Sequence, residues 1–395
     1  MERRQFLNAG ASLTLLGPFA GPVLGQAATD ARFVLVILRG GLDGLAAVPA
    51  YGEGRYRSLR GPLALDAPGG DGGVLKLDGL FGLHPALSGL HRMYADGDLA
   101  VVHAAASPYR ERSHFDGQKV LEAGGVSPST SNGGWLNRAL SALAAAHDEQ
   151  GAIALTSTIP LVLRGPATVS SWAPSRLPDS DADTLARVRQ IYEAADPDLA
   201  RRLTDALNAR DLAGDTGMDG MRGGPQQQLA PITTAAARFL AAADGPRIAV
   251  IEAGGWDTHA NQGAATGPLA NRLQQLDAGL ASLRSELGPN WDQTTVLVVT
   301  EFGRTAAANG TRGTDHGTAA AAFIAGGAVA GGRVISDWPG LGERDLYEGR
   351  DLRPTLDLRA IFKGVLSEQF GLSARELDTS VFPDSAAVEP MRVTA

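Results

Sequence analysis

The sequence predicts an α/β fold: a mostly parallel central sheet with helices on both faces. Continuous apolar runs recur along the chain, bounded by charge or glycine, as strands buried on both sides require. Stretches with helical apolar spacing separate them. Acidic, basic and histidine residues cluster just after the runs, where open α/β sheets keep their ligand crevice.

The first segment stands outside that fold. Arg3 and Arg4 precede Phe6-Leu7 and the modestly apolar stretch Ala9–Leu24, and Gly25-Gln26-Ala27-Ala28 supplies small residues for cleavage. This is the pattern of a twin-arginine export signal over residues 1–28, with a plain secretory signal as the alternative. It implies passage through the twin-arginine export machinery and a periplasmic or secreted mature protein. Pro18 and Pro22, with Gly17 and Gly21 beside them, argue against a stable membrane span.

The strands follow in order. Phe33–Leu38 is the first run, and Leu99–His103, Ala152–Leu155, Ile248–Ile251, Thr295–Thr300 and Ala320–Ile324 repeat its character. Between them, Leu87, Leu90, Met93 and Tyr94 share one helical face after His84-Pro85. Phe115–Glu122, Trp135–Ala146, Leu185–Ala194, Ile232–Ala243 and Leu269–Leu287 also read as helices. Residues 213–225, rich in glycine and aspartate, form the clearest loop. Candidate site residues lie on both sides of it, so residues 29–395 are read as a single domain.

Composition narrows the chemistry. A net charge of −8 and a pI near 5.4 exclude a general nucleic-acid binder, which needs a basic face. The chain has no cysteine, so any metal must be held by histidine and carboxylate. Fifty glycines in 395 residues, nearly twice the usual share, point to many positive-φ or close-approach positions.

Five strand-end segments carry the candidates. The first run is followed by Arg39 and Asp43, the second by Arg110, Arg112, Ser113, His114 and Asp116. Asp257 and His259 follow Ile248–Ile251, Glu301 and Arg304 follow Thr295–Thr300, and Asp315-His316 comes shortly after. Each also has an ordinary structural use. Asp43 between glycines suits a turn, Ser113 a helix cap, Asp116 a helix dipole, and Glu301 a bridge to Arg304. His103, His84, His91 and His147 read as satisfied structural histidines, and His316 admits the same reading.

Asp257 and His259 are the harder pair to dismiss, because a carboxylate and an imidazole two apart on a glycine-hinged loop can converge on one cation. Asp43, Glu301, Asp315 and His316 are the further candidate metal ligands. Oxygen and nitrogen donors without sulfur favour Zn²⁺ or Mn²⁺ and permit Mg²⁺ or Ca²⁺. Such a cation polarises a phosphoryl or sulfuryl oxygen. Ser113 at a helix N-terminus then becomes a nucleophile, with Arg304 assisting and Arg39, Arg110, Arg112 and His114 around the substrate anion.

Five motifs carry a resemblance. They are Arg39-Gly40-Gly41-Leu42-Asp43-Gly44-Leu45, Ser113-His114-Phe115-Asp116, Gly255-Trp256-Asp257-Thr258-His259, Thr300-Glu301-Phe302-Gly303-Arg304 and Gly313-Thr314-Asp315-His316-Gly317. Together with the export signal they resemble a family of exported bacterial proteins defined as a domain of unknown function. That family is similar to the alkaline phosphatase and sulfatase superfamily. The resemblance implies an alkaline phosphatase-like fold and an exported metal-dependent hydrolase of phosphate or sulfate esters. By it, Ser113 stands at the nucleophile's place, Asp257 with His259 at an Asp and a His ligand, and His316 at the last histidine ligand. Two departures bear on the metal. Glu301 stands where an Asp-His pair is expected and is followed by Phe302, which cannot ligate; Arg39 replaces an aspartate, leaving Asp43 as a displaced substitute. They imply one metal, or none, in place of two. The alternative is a non-catalytic periplasmic protein of the same fold that binds an anionic glycan or a partner protein. A third reading makes Asp43, Glu301 and Asp315 a calcium site that only stabilises loops.

Overall fold

The computed structural model describes residues 30–146, 151–174, 180–214 and 229–394. The export signal, His147 and residues 215–225 of the expected loop lie outside the described residues.

The six apolar runs form strands β1 (Arg32–Arg39), β4 (Leu99–Ala106), β5 (Ala152–Ala154), β7 (Ile248–Gly254), β8 (Thr294–Thr300) and β9 (Ala320–Ala325). Shorter strands join them: β2 (Leu75–Lys76) and β3 (Gly82–Leu83) as a separate pair, and β6 (Ser170–Ser171), β10 (Arg333–Ile335) and β11 (Leu356–Asp357) on the main sheet. Its order is β10-β4-β9-β8-β1-β7-β5-β6, with β11 also on β4, so it takes strands from both sides of residues 215–228. Within the main sheet all pairings are parallel except those of β9, which runs antiparallel between β4 and β8.

β1 shows why the runs are continuous. Val34, Val36 and Leu38 pack on one face with α8 (Leu229–Ala241) and α9 (Pro268–Leu287). Phe33, Leu35 and Ile37 pack on the other with α5 (Trp135–Ala146) and α10 (Leu358–Phe370). Alternate residues serve opposite cores, and each buried aliphatic side chain contributes roughly 1.5–3 kcal/mol. Before α5 come the short helices α1 (Gly44–Ala47) and α2 (Tyr56–Arg60), then α3 (Ser88–Asp96) and α4 (His114–Ala123). Helices α6 (Ala182–Ala195) and α7 (Pro197–Ala213) lead towards α8. Among the described residues no helix is long and apolar enough to cross a membrane.

β4 is broken by a register shift between Val102 and Ala105, with Ala104 at φ 57°. His103 fills that irregularity, fully buried and stacked on Phe81 with Trp338 edge-on. One ring nitrogen accepts from Ala104 N–H at 2.8 Å and the other donates to the Val48 carbonyl at 2.9 Å.

Candidate metal centre at the sheet edge

Strand direction decides which loops meet. β1, β4, β7 and β8 run the same way, so the segments leaving Arg39, Ala106, Gly254 and Thr300 emerge at one edge. The chain re-enters antiparallel β9 from that same edge after His316. Close backbone contacts lock the segments together. A Cβ on Gly303 would stand 1.8 Å from the Ala319 carbonyl oxygen, and one on Gly313 2.3 Å from the His259 carbonyl group. Only hydrogen fits there. Thr314 N–H donates to the Thr258 carbonyl at 3.2 Å, and Gly317 N–H to the Gly303 carbonyl at 2.8 Å.

Asp257 is the hub of the arrangement. Its Oδ1 accepts from Arg304 Nη1 at 2.6 Å and lies 3.0 Å from His259 Nε2 and 3.2 Å from His316 Nε2. Its Oδ2 lies 3.5 Å from His114 Nε2, and the Nε2 atoms of His259 and His316 face each other at 2.9 Å. Behind each ring an acceptor holds Nδ1. Glu301 Oε1 is 2.8 Å from His114 Nδ1, the Arg112 carbonyl 2.9 Å from His316 Nδ1, and Asp315 Oδ1 3.4 Å from His259 Nδ1. A carbonyl or carboxylate there makes each Nδ1 the donor and turns each Nε2 towards one carboxylate.

That convergence fits a cation. Ligand atoms of His114, Asp257 and His316 lie within 4.8 Å of one another, and His114 Nε2 is buried with no hydrogen-bond partner. The nitrogen and oxygen donors suit Zn²⁺ or Mn²⁺, whose bonds of about 2.0–2.2 Å set neighbouring ligands roughly 3 Å apart. Acceptors that fix the far nitrogen of each ring are the usual companions of metal-bound histidine.

Charge follows the same layout. Burial pushes the Glu301 carboxyl up, but bonds from His114, Gln118 and the Gly40 N–H outweigh it and hold it below the usual carboxylate range. The bond to Glu301 is also the largest cause that raises the His114 imidazole. Burial lowers His316. At Asp257 burial opposes ionisation, and the Arg304 guanidinium overcomes it. The Asn309 amide, 3.0 Å away, leads the causes that lower Asp315.

The candidate residues divide into those at the centre and those apart from it. Asp257, His259, His316, His114, Glu301, Asp315 and Arg304 share the cluster. Within it, Glu301 and Asp315 stand behind the rings of His114 and His259, and His114 presents a nitrogen with the ligands. Asp43 stands apart: it caps α1, pairs with fully buried Arg60 at 2.5 Å and accepts from Gln262 at 2.7 Å. Arg39 is bound between Glu122 and Glu252, and Arg112, at φ 62°, pairs with Asp351 and Glu348. Arg110 donates to the carbonyls of Ser107 and Tyr109. Ser113 precedes α4 as its N-cap without a side-chain cap bond, and Asp116 lies in the first turn.

Two residues that support the site carry no signal in the sequence pattern. Gln262, fully buried, joins Asp43 to Thr258 and Thr314, and Thr314 accepts from Arg304. Asn309 ties the His259 carbonyl to Asp315. Phe302, unable to ligate, stacks on the His114 ring with centroids 4.8 Å apart.

Residues 101–381 match the family described as Protein of unknown function (DUF1501). The chain belongs to this family. No curated protein matches its sequence. Similar solved structures include Ps i-CgsB in complex with k-i-k-neocarrahexaose, at 9% identity and TM-score 0.44 over 91% of this chain and 77% of that one. Others are a variant of TAB5 alkaline phosphatase with Mg bound in its M3 site (13%, TM-score 0.35, 76% and 92%) and the phosphonate monoester hydrolase of Agrobacterium radiobacter (12%, TM-score 0.36, 87% and 74%). At these TM-scores the architecture is read from the chain's own strand order.

Proposed function

We propose that the protein is an exported hydrolase of phosphate or sulfate esters that depends on one divalent cation. Asp257, His259, His316 and His114 would hold the cation. One observation carries this reading: three imidazoles have their Nδ1 atoms held by acceptors and their Nε2 atoms turned to the carboxylate of Asp257. A bound Zn²⁺ or Mn²⁺ supplies Lewis-acid stabilisation of negative charge developing on an ester oxygen.

The chain's own residues supply the rest. Ser113 lies between Arg112, whose carbonyl anchors His316, and His114, which faces Asp257. Its hydroxyl makes no hydrogen bond to another described residue, and it stands at the N-terminal end of α4, whose first N–H groups favour an anion. Ser113 Oγ is the nucleophile: it loses its proton to solvent and bonds to phosphorus or sulfur as the bond to the ester's alcohol oxygen breaks; that oxygen takes a proton from water, and a second water cleaves the seryl ester, returning a proton to Ser113 and releasing phosphate or sulfate. Among the described residues Arg110 hydrogen-bonds only carbonyls, so it has donors left for the substrate's anionic oxygens, although Asp357 also acts on its charge. Export through a twin-arginine signal would place the protein in the periplasm or outside the cell, with small anionic esters or glycans as its ligands.

The test is elemental analysis of the mature protein beside an Asp257→Ala, His316→Ala double variant, followed by turnover of aryl phosphates and sulfates. The expected result is near-stoichiometric Zn or Mn, lost in the double variant, and turnover lost in Ser113→Ala while its metal is retained. A second reading, a non-catalytic binder of an anionic glycan or partner, is favoured by Phe302, which cannot ligate and stacks on His114, and by Arg39, bound between Glu122 and Glu252 where a metal-ligating aspartate would be expected. Retained metal without turnover of any ester would select it.

A further inference from the structure

We infer that Asp351 is a positioning residue of the centre: through Arg112 and Arg350 it fixes the ring and the backbone of His316. The inference rests on the proposed cation, for which His316 would be a ligand.

Four residues close a ring of contacts. His316 Nδ1 donates to the Arg112 carbonyl at 2.9 Å. Arg112 Nε donates to Asp351 Oδ2 at 2.8 Å, across 239 residues of chain. Asp351 Oδ1 lies 3.5 Å from Arg350 Nη1, and Arg350 Nη2 donates back to the His316 carbonyl at 2.8 Å. Asp351 is the fully buried member of the ring, and its backbone exchanges two hydrogen bonds with Tyr347. A carboxylate taken out of water needs charged partners, so it draws both guanidiniums in. Glu348 also pairs with Arg112, but its side chain is 57% exposed, which leaves Asp351 as the firmer anchor.

Backbone strain at Arg112 shows what the ring of contacts holds. Arg112 has φ 62°, the left-handed region that residues with a Cβ avoid. Such a conformation persists only where its surroundings over-determine it. Here the surroundings are the bonds of its own guanidinium, to Asp351 and to Glu348 at 2.5 Å, with the Tyr347 ring centroid 5.9 Å away. The conformation in turn aims the Arg112 carbonyl at His316. A return of φ to negative values would swing that carbonyl off His316 Nδ1 and shift Ser113, the next residue. Asp351 thus supports His316 as Glu301 supports His114, one link further out.

The test uses the mature protein with Asp351→Asn alone and combined with Arg112→Ala or Arg112→Gly. Glycine takes φ 62° freely and can keep the carbonyl in place without the guanidinium; alanine cannot. Zn²⁺ binding is read by calorimetry. The His316 Nδ1–H signal is read by NMR on metal-free protein carrying isotope-labelled histidine, and is assigned by its absence in His316→Gln. The inference expects Asp351→Asn to bind Zn²⁺ about 10–100-fold more weakly, the usual loss when the support behind a ligand is removed. The Nδ1–H signal should broaden as its proton exchanges faster with water. In that background Arg112→Gly should bind Zn²⁺ at least about tenfold tighter than Arg112→Ala and restore the signal, which Arg112→Ala should not. A carboxylate that only stabilises the fold would lower the melting temperature and leave the Nδ1–H signal unmoved, and that result overturns the inference. If Asp351→Asn does not fold, Arg112→Ala and Arg112→Gly with Asp351 intact read the same link, and equal affinities and signals in the two overturn it. A parent protein that binds no Zn²⁺ overturns the cation reading alone, and the Nδ1–H signal still decides the role of Asp351.

Discussion

The centre depends on backbone packing, and Gly313→Ala tests that dependence directly. The added Cβ would sit 2.3 Å from the His259 carbonyl carbon and oxygen and 2.6 Å from the Thr258 carbonyl oxygen. All three atoms are backbone, so no rotamer relieves the overlap. An ordinary contact of about 3.5 Å requires the two loops to part by roughly 1 Å. Parting stretches the bond from Thr314 N–H to Thr258 and separates His259 from His316, now 2.9 Å apart. Overpacking of this kind costs about 1–3 kcal/mol, and ligand constellations tolerate only about 0.5 Å. We expect a stability loss of about 1–3 kcal/mol in denaturant unfolding and a fall in metal affinity of at least tenfold by calorimetry. Gly310→Ala is the matched control: it lies in the same loop, and a Cβ there meets nothing within 4 Å. If Gly313→Ala and Gly310→Ala unfold alike and bind metal alike, the packing argument is refuted.

Two further outcomes follow from the same geometry. Glu301→Gln keeps the shape behind His114 but withdraws the charge that orients its ring; metal affinity should drop about 10–100-fold in a calorimetric titration, and an unchanged affinity would remove Glu301 from the centre's support. His103 supplies a pH signature. Complete burial pushes its imidazole down to about 4, whereas the unfolded chain protonates near 6.5, so the unfolded state takes the proton first as pH falls. This contribution is intact above pH 6.5 and is lost between 6.5 and about 4, by about 3 kcal/mol in all. The stability advantage of the parent over His103→Gln, followed by denaturant unfolding from pH 7.5 to 4.5, should shrink accordingly; a constant difference would mean that His103 protonates without opposition from the fold.

The legible parts of the fold were those written in local pattern. Uninterrupted runs such as Phe33–Leu38 and Thr295–Thr300 are the signature of strands that feed two cores, and both became central strands. Helix α7 was not anticipated because Leu203 and Ala213 are its only buried residues, although Asp196 before Pro197 is a readable start signal. Helix α10 was hidden for the opposite reason: buried Arg359 and Lys363 interrupt its apolar pattern, and the partners of Lys363, Asp378 and Ser385, are found only in the fold. At the site the donor types were legible and the layers were not. Whether Glu301 faces a cation or stands behind His114 depends on a contact across 187 residues. Likewise, nothing local in Asp43 foretells Arg60, nor does Arg39 foretell Glu122 and Glu252.

The charges around the cluster bear on the single cation proposed above. Asp257, Glu301 and Asp315 bring three carboxylates to it, the Arg304 guanidinium bonds Asp257, and Arg350, which donates to the His316 carbonyl, adds to the causes that hold Asp315 ionised. A second ion would need further carboxylates, and those close at hand already have partners: Arg39 bridges Glu122 and Glu252, and Asp43 pairs with Arg60. The bond to Glu301 raises the His114 imidazole, so a metal bound at His114 Nε2 would compete with a proton there. Arg39 therefore acts on the centre from outside it. Its guanidinium engages Glu122 and Glu252 at once and so occupies carboxylates that a second metal would require, although one positive charge between two carboxylates leaves that group with a net charge of −1.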